Sequence, residues 1–242
     1  MTVTLRLLPF ETADGPRNMA ADEVLLQRAD AGIASLRFYG WSPATLSLGY
    51  FQPAAVRLED ERLATLPWVR RATGGATLVH DRELTYALAL PAGLPWQTGQ
   101  TWMPRFHEIL KGALASLGVD VSLALQNDLR GDILCFQKHT VGDLLCRGLK
   151  IGGSAQRKHR RSLLQHGSIL LRQSSAAPAL PGIFELTGVE IAPLALRDAV
   201  MQHFAAATGW RLESAVWTDD DVRLIESLTR EKFSSASWND KR

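Results

Sequence analysis

Cysteine is nearly absent: 242 residues hold two. That scarcity argues against a disulfide framework and suits a reducing compartment. Long apolar runs are missing as well, and none approaches the roughly 18 residues a membrane helix needs. The opening stretch MTVTLRLLPFETADG lacks the charged-then-apolar design of a signal peptide, so a cytoplasmic protein without a membrane partner is expected. Neither charge sign dominates, with 27 Lys and Arg against 25 Asp and Glu, so any basic surface must be local. There is no phosphate-cradling Walker loop and no G-x-G-x-x-G. The six histidines show no metal-ligand spacing, so no metal is expected.

What remains is the composition of a globular chain, 46% hydrophobic and 21% charged, long enough for one large domain. NMAADEVLLQRADAG predicts an early helix with Asn18 as its N-cap and Gly32 as its stop. TWMPRFHEILKGALASLG predicts the clearest helix, because Phe106, Ile109, Leu110, Ala113, Leu114 and Leu117 repeat at a helical period and Gly118 ends it. Two further helices are expected near 195–208 and 219–233, the second opened by a capping box of Thr218 and Asp221. Between them SLRFYGW, TLSLGYF, WVRRATGG, LTYALALP, DILCF, DLLC and SILL read as strands. Strands and helices do not alternate regularly, which predicts an α/β (α+β) fold with a mixed central sheet flanked by helices. RQSSAAPALPG (172–182) reads as a linker. One catalytic domain over 1–242 is expected, with its core at about 1–172 and a helical part at about 183–242.

Three constellations offer chemistry. Thr73-Gly74-Gly75, preceded by Arg70 and Arg71 and followed by His80, lets backbone N–H groups approach an oxyanion or phosphate. Its plainer reading is a glycine hairpin with solvated arginines. Gly152-Gly153-Ser154 reads as a second such turn, with Lys150 two residues upstream as a fixed charge. Cys135 is the third. A thiol attacks as thiolate, and an ordinary pKa of roughly 8.5 leaves little of it ionised at pH 7. A neighbouring ammonium such as Lys150 favours the thiolate, and His139 is a rival base. Cys146 reads as a small core hydrophobe. The basic run Arg157 to Arg161 is either a solvated loop or a docking patch for an acidic protein. Without interleaved aromatics it does not suggest nucleic acid.

NMAADEVLL, LRFYGWSPATLSLGYFQ, RRATGGATLVHDRELTYAL, CFQ, LKIGGSAQR and LLQHGSILL, in this order, resemble the biotin/lipoate protein ligase superfamily over nearly the whole chain. The closing REKFSSASWNDKR is similar to the tail of its single-domain, cysteine-dependent octanoyltransferase branch. The resemblance implies the catalytic-domain fold of that superfamily, with an apolar acyl tunnel between the two glycine turns. It implies Cys135 as the acyl-accepting nucleophile and Lys150, fifteen residues on, as the charge that assists it. It also implies substrate-binding roles for Arg71, Thr73, Gly74, Gly75, His80, Gly153, Ser154, Ala155, His166 and Gly167. The implied reaction moves an octanoyl group from octanoyl-acyl carrier protein to a lysine of a lipoyl-domain protein, such as glycine cleavage H protein or a dehydrogenase E2 subunit. It needs no cofactor and a monomer suffices. Three readings stay open beside it: an amidotransferase between lipoyl-domain proteins, a lipoyl-binding subunit without activity, and an ATP-dependent lipoate ligase. In the ligase, ATP and Mg would be required, Lys150 would meet an acyl-adenylate and Cys135 would be incidental. The Gly-Arg-Gly-Arg loop of biotin ligases is absent.

Overall fold

The computed structural model describes residues 3–94, 101–130 and 134–242. Twelve strands form two sheets among these residues: β1 Thr4–Leu7, β2 Glu11–Ala13, β3 Ser35–Trp41, β4 Thr45–Leu48, β5 Trp68–Arg70, β6 Leu78–His80, β7 Glu83–Leu90, β8 Ser122–Leu123, β9 Leu144–Cys146, β10 Leu149–His159, β11 Ser162–Leu170 and β12 Arg211–Ser214. The helices are α1 Gly15–Asp30, α2 Glu61–Ala64, α3 Trp102–Ser116, α4 Ile183–Thr187, α5 Pro193–Thr208, α6 Asp219–Leu228 and α7 Ala236–Asn239.

The large sheet runs β12-β1-β3-β7-β11-β10-β9-β8, with β2 paired to β3. Its β1, β2, β3 and β12 pairings are parallel, and those from β3 through β7 to β8 are antiparallel, so the sheet is mixed as expected. The small sheet has the order β5-β4-β6. Alternation along β7 divides the core. Leu84, Tyr86, Leu88 and Leu90 pack with α3 and α5, whereas Ala87 and Ala89 pack with α1 and α6 on the opposite face. A third cluster joins the small sheet to Leu134, Phe136, Ala177 and Leu180. No described helix is long and apolar enough to cross a membrane.

Several sequence expectations are met by local physics. The α3 stripe is buried, and Gly118 follows it at φ +80°. Thr218 caps α6, its hydroxyl accepting the Asp221 N–H at 3.1 Å while Asp221 answers to the Thr218 N–H. Others are corrected. Asp14, not Asn18, is the N-cap of α1: its carboxylate accepts the Arg17 N–H at 2.9 Å, and Pro16 fits the first turn. Asn18 is buried one turn later, its amide donating to the carbonyls of Ala13 and Gly40. The α6 helix ends at Leu228, and a wider turn carries the chain through Thr229–Phe233. The segment expected to be helical after 183 also contains β12, which closes one edge of the large sheet against β1. Residues 172–182 are not a loose linker, because Ala177 and Leu180 are buried and the Arg172 N–H donates to the Arg82 carbonyl. DILCF is not a strand over its described part. Cys135–Gln137 form a single 3₁₀ turn after Leu134, which bridges Thr77; residues 131–133 lie outside the described residues.

Candidate active site

The two sheets enclose a cavity with an empty volume of about 530 Å³. Ten of the twelve residues singled out from sequence line it: Cys135, Lys150, Arg71, Gly75, His80, Gly153, Ser154, Ala155, His166 and Gly167. Thr73 and Gly74 do not; Thr73 stands behind His166, its hydroxyl 2.7 Å from Nε2, and Gly74 lies under the exposed Phe51 ring. The lining is not wholly apolar, since Ser47, Thr85 and Ser168 contribute to it beside Met19, Trp41, Leu78 and Phe136.

At one end the fold joins two segments that are fifteen residues apart in sequence. The Cys135 N–H donates to the Thr77 carbonyl at 2.7 Å, which fixes the thiol beside the start of β6. Lys150 comes from β10, where a register shift between Lys150 and Gly152 accompanies its turn inward. Its Nζ stands 3.8 Å from Cys135 Sγ and 2.8 Å from Asp143 Oδ2, and 5.1 Å from the centre of the Phe136 ring. Lys150 and Asp143 are both buried, so the pair is shielded from solvent screening. Asp143 is itself held, accepting from the Thr140 N–H at 2.7 Å.

The second glycine pair is not a turn. Gly152 and Gly153 lie within β10, laddered against Ile169 and Ser168 of β11. Their need for glycine is steric: a Cβ on Gly153 would stand 2.7 Å from Lys150 Cε and 2.9 Å from Asp143 Oδ1. The cavity therefore lies between two sheets rather than between two glycine turns. Gly153→Ala should push the ammonium off the thiol, and a displacement near 1 Å costs about a hundredfold in rate. The flexible end of Lys150 can yield, so the melting temperature should change little; steady-state transfer and a thermal melt check both halves.

The first glycine segment is a true turn, with Gly75 at φ +98°. Its arginines are not solvated. Arg70 is fully buried and donates to the carbonyls of Gly49, Gln52 and Asn239, tying the turn to the C-terminal segment. Arg71 donates to Ser47 Oγ at 2.8 Å and to the carbonyls of Gly74 and Ala76. Burial lowers the pKa of its guanidinium, and negative charge on Cys135 opposes that shift.

Two histidines of the cavity are built alike. His80 Nδ1 stands 2.6 Å from Glu83 Oε1 and Nε2 2.8 Å from Ser47 Oγ. His166 Nδ1 stands 2.8 Å from Asp22 Oδ2. Asp22 also takes the Arg37 Nε–H at 3.0 Å and the Tyr39 hydroxyl at 3.0 Å. Burial pushes the Asp22 carboxyl up, but Arg37 and His166 together hold it below the usual carboxylate value. Because that pKa is depressed, the stabilisation it brings is present above the unfolded value of about 3.9 and is lost as pH falls through the folded one. Asp22→Asn leaves Arg37 buried without its counter-charge and should cost about 3–5 kcal/mol. It should also flatten the loss of stability below about pH 4, which denaturant melts across pH will check.

Sequence reasoning missed Asp22, Asp143 and His107. His107 is buried on α3, with Nδ1 2.6 Å from the Gly142 carbonyl and Nε2 2.6 Å from Ser154 Oγ. Burial lowers its pKa, so the neutral ring donates to that carbonyl, accepts from Ser154 and pins the turn that presents Asp143. His139 is not a base here: it does not line the cavity, and its backbone is bridged to Asp128. Cys146 is buried in β9, which pushes its thiol up, as expected of a core hydrophobe. The basic run forms the β10–β11 hairpin tip, with His159 hydrogen-bonded to Asp30 and Arg160 at φ +51°.

The catalytic-domain model of lipoyl protein ligases A and B matches residues 14–179, a span that holds every cavity residue named above. The octanoyltransferase LipM of Anoxybacillus flavithermus is 32% identical over 93% of this chain and 94% of its own. That of Bacillus subtilis is 30% identical over 99% of both. Among solved structures, a putative lipoate protein ligase of Thermoplasma acidophilum with bound lipoic acid superposes over the whole of both chains with a TM-score of 0.79 at 21% identity, which speaks for the fold. A match through the cavity, with relatives 30% and 32% identical over nearly their full length, settles the kinship: this chain belongs to the lipoyl protein ligase A/B catalytic domain family.

Proposed function

We propose that this chain is an octanoyltransferase of protein lipoylation, working in the cytoplasm through a thioester on Cys135. The observation that carries the reading is the Cys135–Lys150–Asp143 set, with 3.8 Å from Nζ to Sγ and 2.8 Å from Nζ to the carboxylate. The LipM relatives support the transfer, and a lipoyl-domain acceptor is in keeping with a bipartite lipoate protein ligase of Thermoplasma acidophilum whose structural study includes its E2 lipoyl domain.

In the first step the Cys135 thiolate attacks the thioester carbonyl of octanoyl-acyl carrier protein. The carrier's thiolate leaves and takes up a proton, and the octanoyl group remains on Sγ. In the second step the neutral ε-amine of a lipoyl-domain lysine attacks that thioester. The nitrogen loses its proton, the amide forms, and the Cys135 thiolate is released beside the Lys150 ammonium. Thioester exchange is close to balanced and thioester-to-amide transfer is downhill, so the cycle draws on neither ATP nor a metal. Lys150, anchored by Asp143, faces negative charge at three stages: the free thiolate and each tetrahedral oxyanion. The backbone N–H of Gly75, which lines the cavity, is the other oxyanion donor in this reading.

Mass analysis of a lipoyl domain incubated with the protein and octanoyl-acyl carrier protein tests it. Octanoylation without ATP is expected. Octanoylation only with ATP, Mg and free octanoate would make the chain a ligase.

A further inference from the structure

His107 does not line the cavity, yet its ring is hydrogen-bonded to chain on both sides of Lys150. One nitrogen meets the Gly142 carbonyl, just before Asp143, and the other meets Ser154, just after Gly153. We propose that His107 is a positioning residue of the reaction, holding Asp143, and with it the Lys150 ammonium, in the place that makes the Cys135 thiol reactive. The inference rests on the transferase reading for its effect on transfer, and not for its effect on the thiol.

One acceptor orders a chain of hydrogen bonds behind it. The Gly142 carbonyl can only accept, so His107 Nδ1, 2.6 Å away, carries the ring proton. Burial lowers the pKa of this ring, so Nε2 is left as an acceptor and Ser154 donates to it at 2.6 Å. Ser154 Oγ then accepts from the Tyr86 hydroxyl, which takes the Gln165 amide at 2.9 Å. Gln165 in turn takes the Gln156 amide at 2.8 Å. Every member has one orientation, and residues of α3, β7, β10 and β11 are tied to a single carbonyl. A buried network satisfied in this way fixes one arrangement of its members.

That carbonyl belongs to the peptide that carries Asp143. Its N–H end is held as well, the Asp143 N–H donating to the Thr140 carbonyl at 3.0 Å. With both ends fixed, the carboxylate has a defined origin and reaches Lys150 Nζ at 2.8 Å. Ser154 braces the other side, since the Lys150 side chain lies against the Gly153 next to it. Without the ring, the peptide can turn about Gly142, which sits at φ +91° with no Cβ to limit it. Asp143 would swing and carry the ammonium off Sγ, which now stands 3.8 Å away.

Three substitutions separate the two ring nitrogens. His107→Asn keeps an N–H near the place of Nδ1, His107→Gln reaches the place of Nε2, and His107→Leu keeps neither. Each is measured by thermal melt, by transfer kinetics, and by iodoacetamide alkylation of Cys135. The rate of alkylation at pH 7 relative to that at about pH 10 reads the thiolate without substrate. His107→Gln and His107→Leu should lower kcat about tenfold to a hundredfold, with KM for octanoyl-acyl carrier protein within about twofold. Their alkylation ratio should fall about tenfold, and His107→Asn should recover most of both losses. In a Lys150→Met background the same substitutions should change alkylation by less than about twofold, because the histidine acts through that lysine.

If one of the two variants without the donor does not fold, the other decides. Folded variants that melt lower but keep the wild-type alkylation ratio would overturn the positioning role. So would losses that add in full to that of Lys150→Met. Alkylation that responds as expected, in a protein that transfers no octanoyl group, would remove the transferase reading and leave the role of His107 standing.

Discussion

Cys135→Ala should lower octanoyl transfer by at least about a thousandfold, because losing the group that carries a covalent intermediate removes the whole two-step route. The thiol is half-buried and its small side chain borders the third core cluster, so the variant should fold with little change in melting temperature. Unchanged binding of octanoyl-acyl carrier protein alongside lost transfer would place the defect in chemistry. Cys135→Ser is the sharper companion. It keeps the shape but offers an alcohol that Lys150 cannot ionise at neutral pH, so it should be nearly as inactive. Transfer within about tenfold of wild type in either variant would show that the acyl group reaches the acceptor without this thiol.

Lys150→Met should have the second largest effect, and it acts on two quantities at once. Without the ammonium 3.8 Å from Sγ, the thiolate and both oxyanions lose their nearest positive charge, and transfer should fall about a hundred- to a thousandfold. Alkylation of Cys135 by iodoacetamide at pH 7 should slow in parallel, which reports the thiolate without any substrate. Stability should fall too, because Asp143 would remain buried without its partner, at a cost of about 3–5 kcal/mol. Adding Asp143→Asn to Lys150→Met separates these effects. The double variant should regain much of the lost stability and none of the lost activity. Recovery of activity with stability would mean that Lys150 serves only the fold.

Much of the fold could be read from the chain because its helices obey local rules. The α3 stripe repeats at the helical period, and Thr218 with Asp221 forms a cap that structure and sequence place alike. Asn18 misled because it is a favoured capping residue just before an apolar run, whereas Asp14 is followed by the proline that fixes the first turn. The paired glycines at 152–153 misled for a related reason. Glycine signals a turn in isolation, but here it clears space in a strand for the Lys150 side chain that folds back over it. That requirement exists only once β10, Asp143 and the Cys135 turn are assembled.

The candidate site was legible to the extent that its residues sit in glycine-rich or cysteine-bearing stretches. Its supports were not. Asp22 did leave a signal: three residues after Met19 and three before Leu25, it puts a carboxylate on the buried face of α1. Asp143 and His107 left none, since a charge in a turn and a histidine on a helix are ordinary until the fold brings Gly142 onto the ring. The same holds for Trp41 and His80, which come from different sheets and meet only across the cavity.

The central claim is that Cys135 carries the acyl group. Intact mass of the purified protein after mixing with octanoyl-acyl carrier protein, without ATP and beside a Cys135→Ala control, tests it most directly. A hydroxylamine-labile octanoyl adduct on the wild type alone is the predicted result. No adduct on the wild type, together with octanoylation of a lipoyl domain once ATP and free octanoate are supplied, would contradict it and leave Cys135 a bystander.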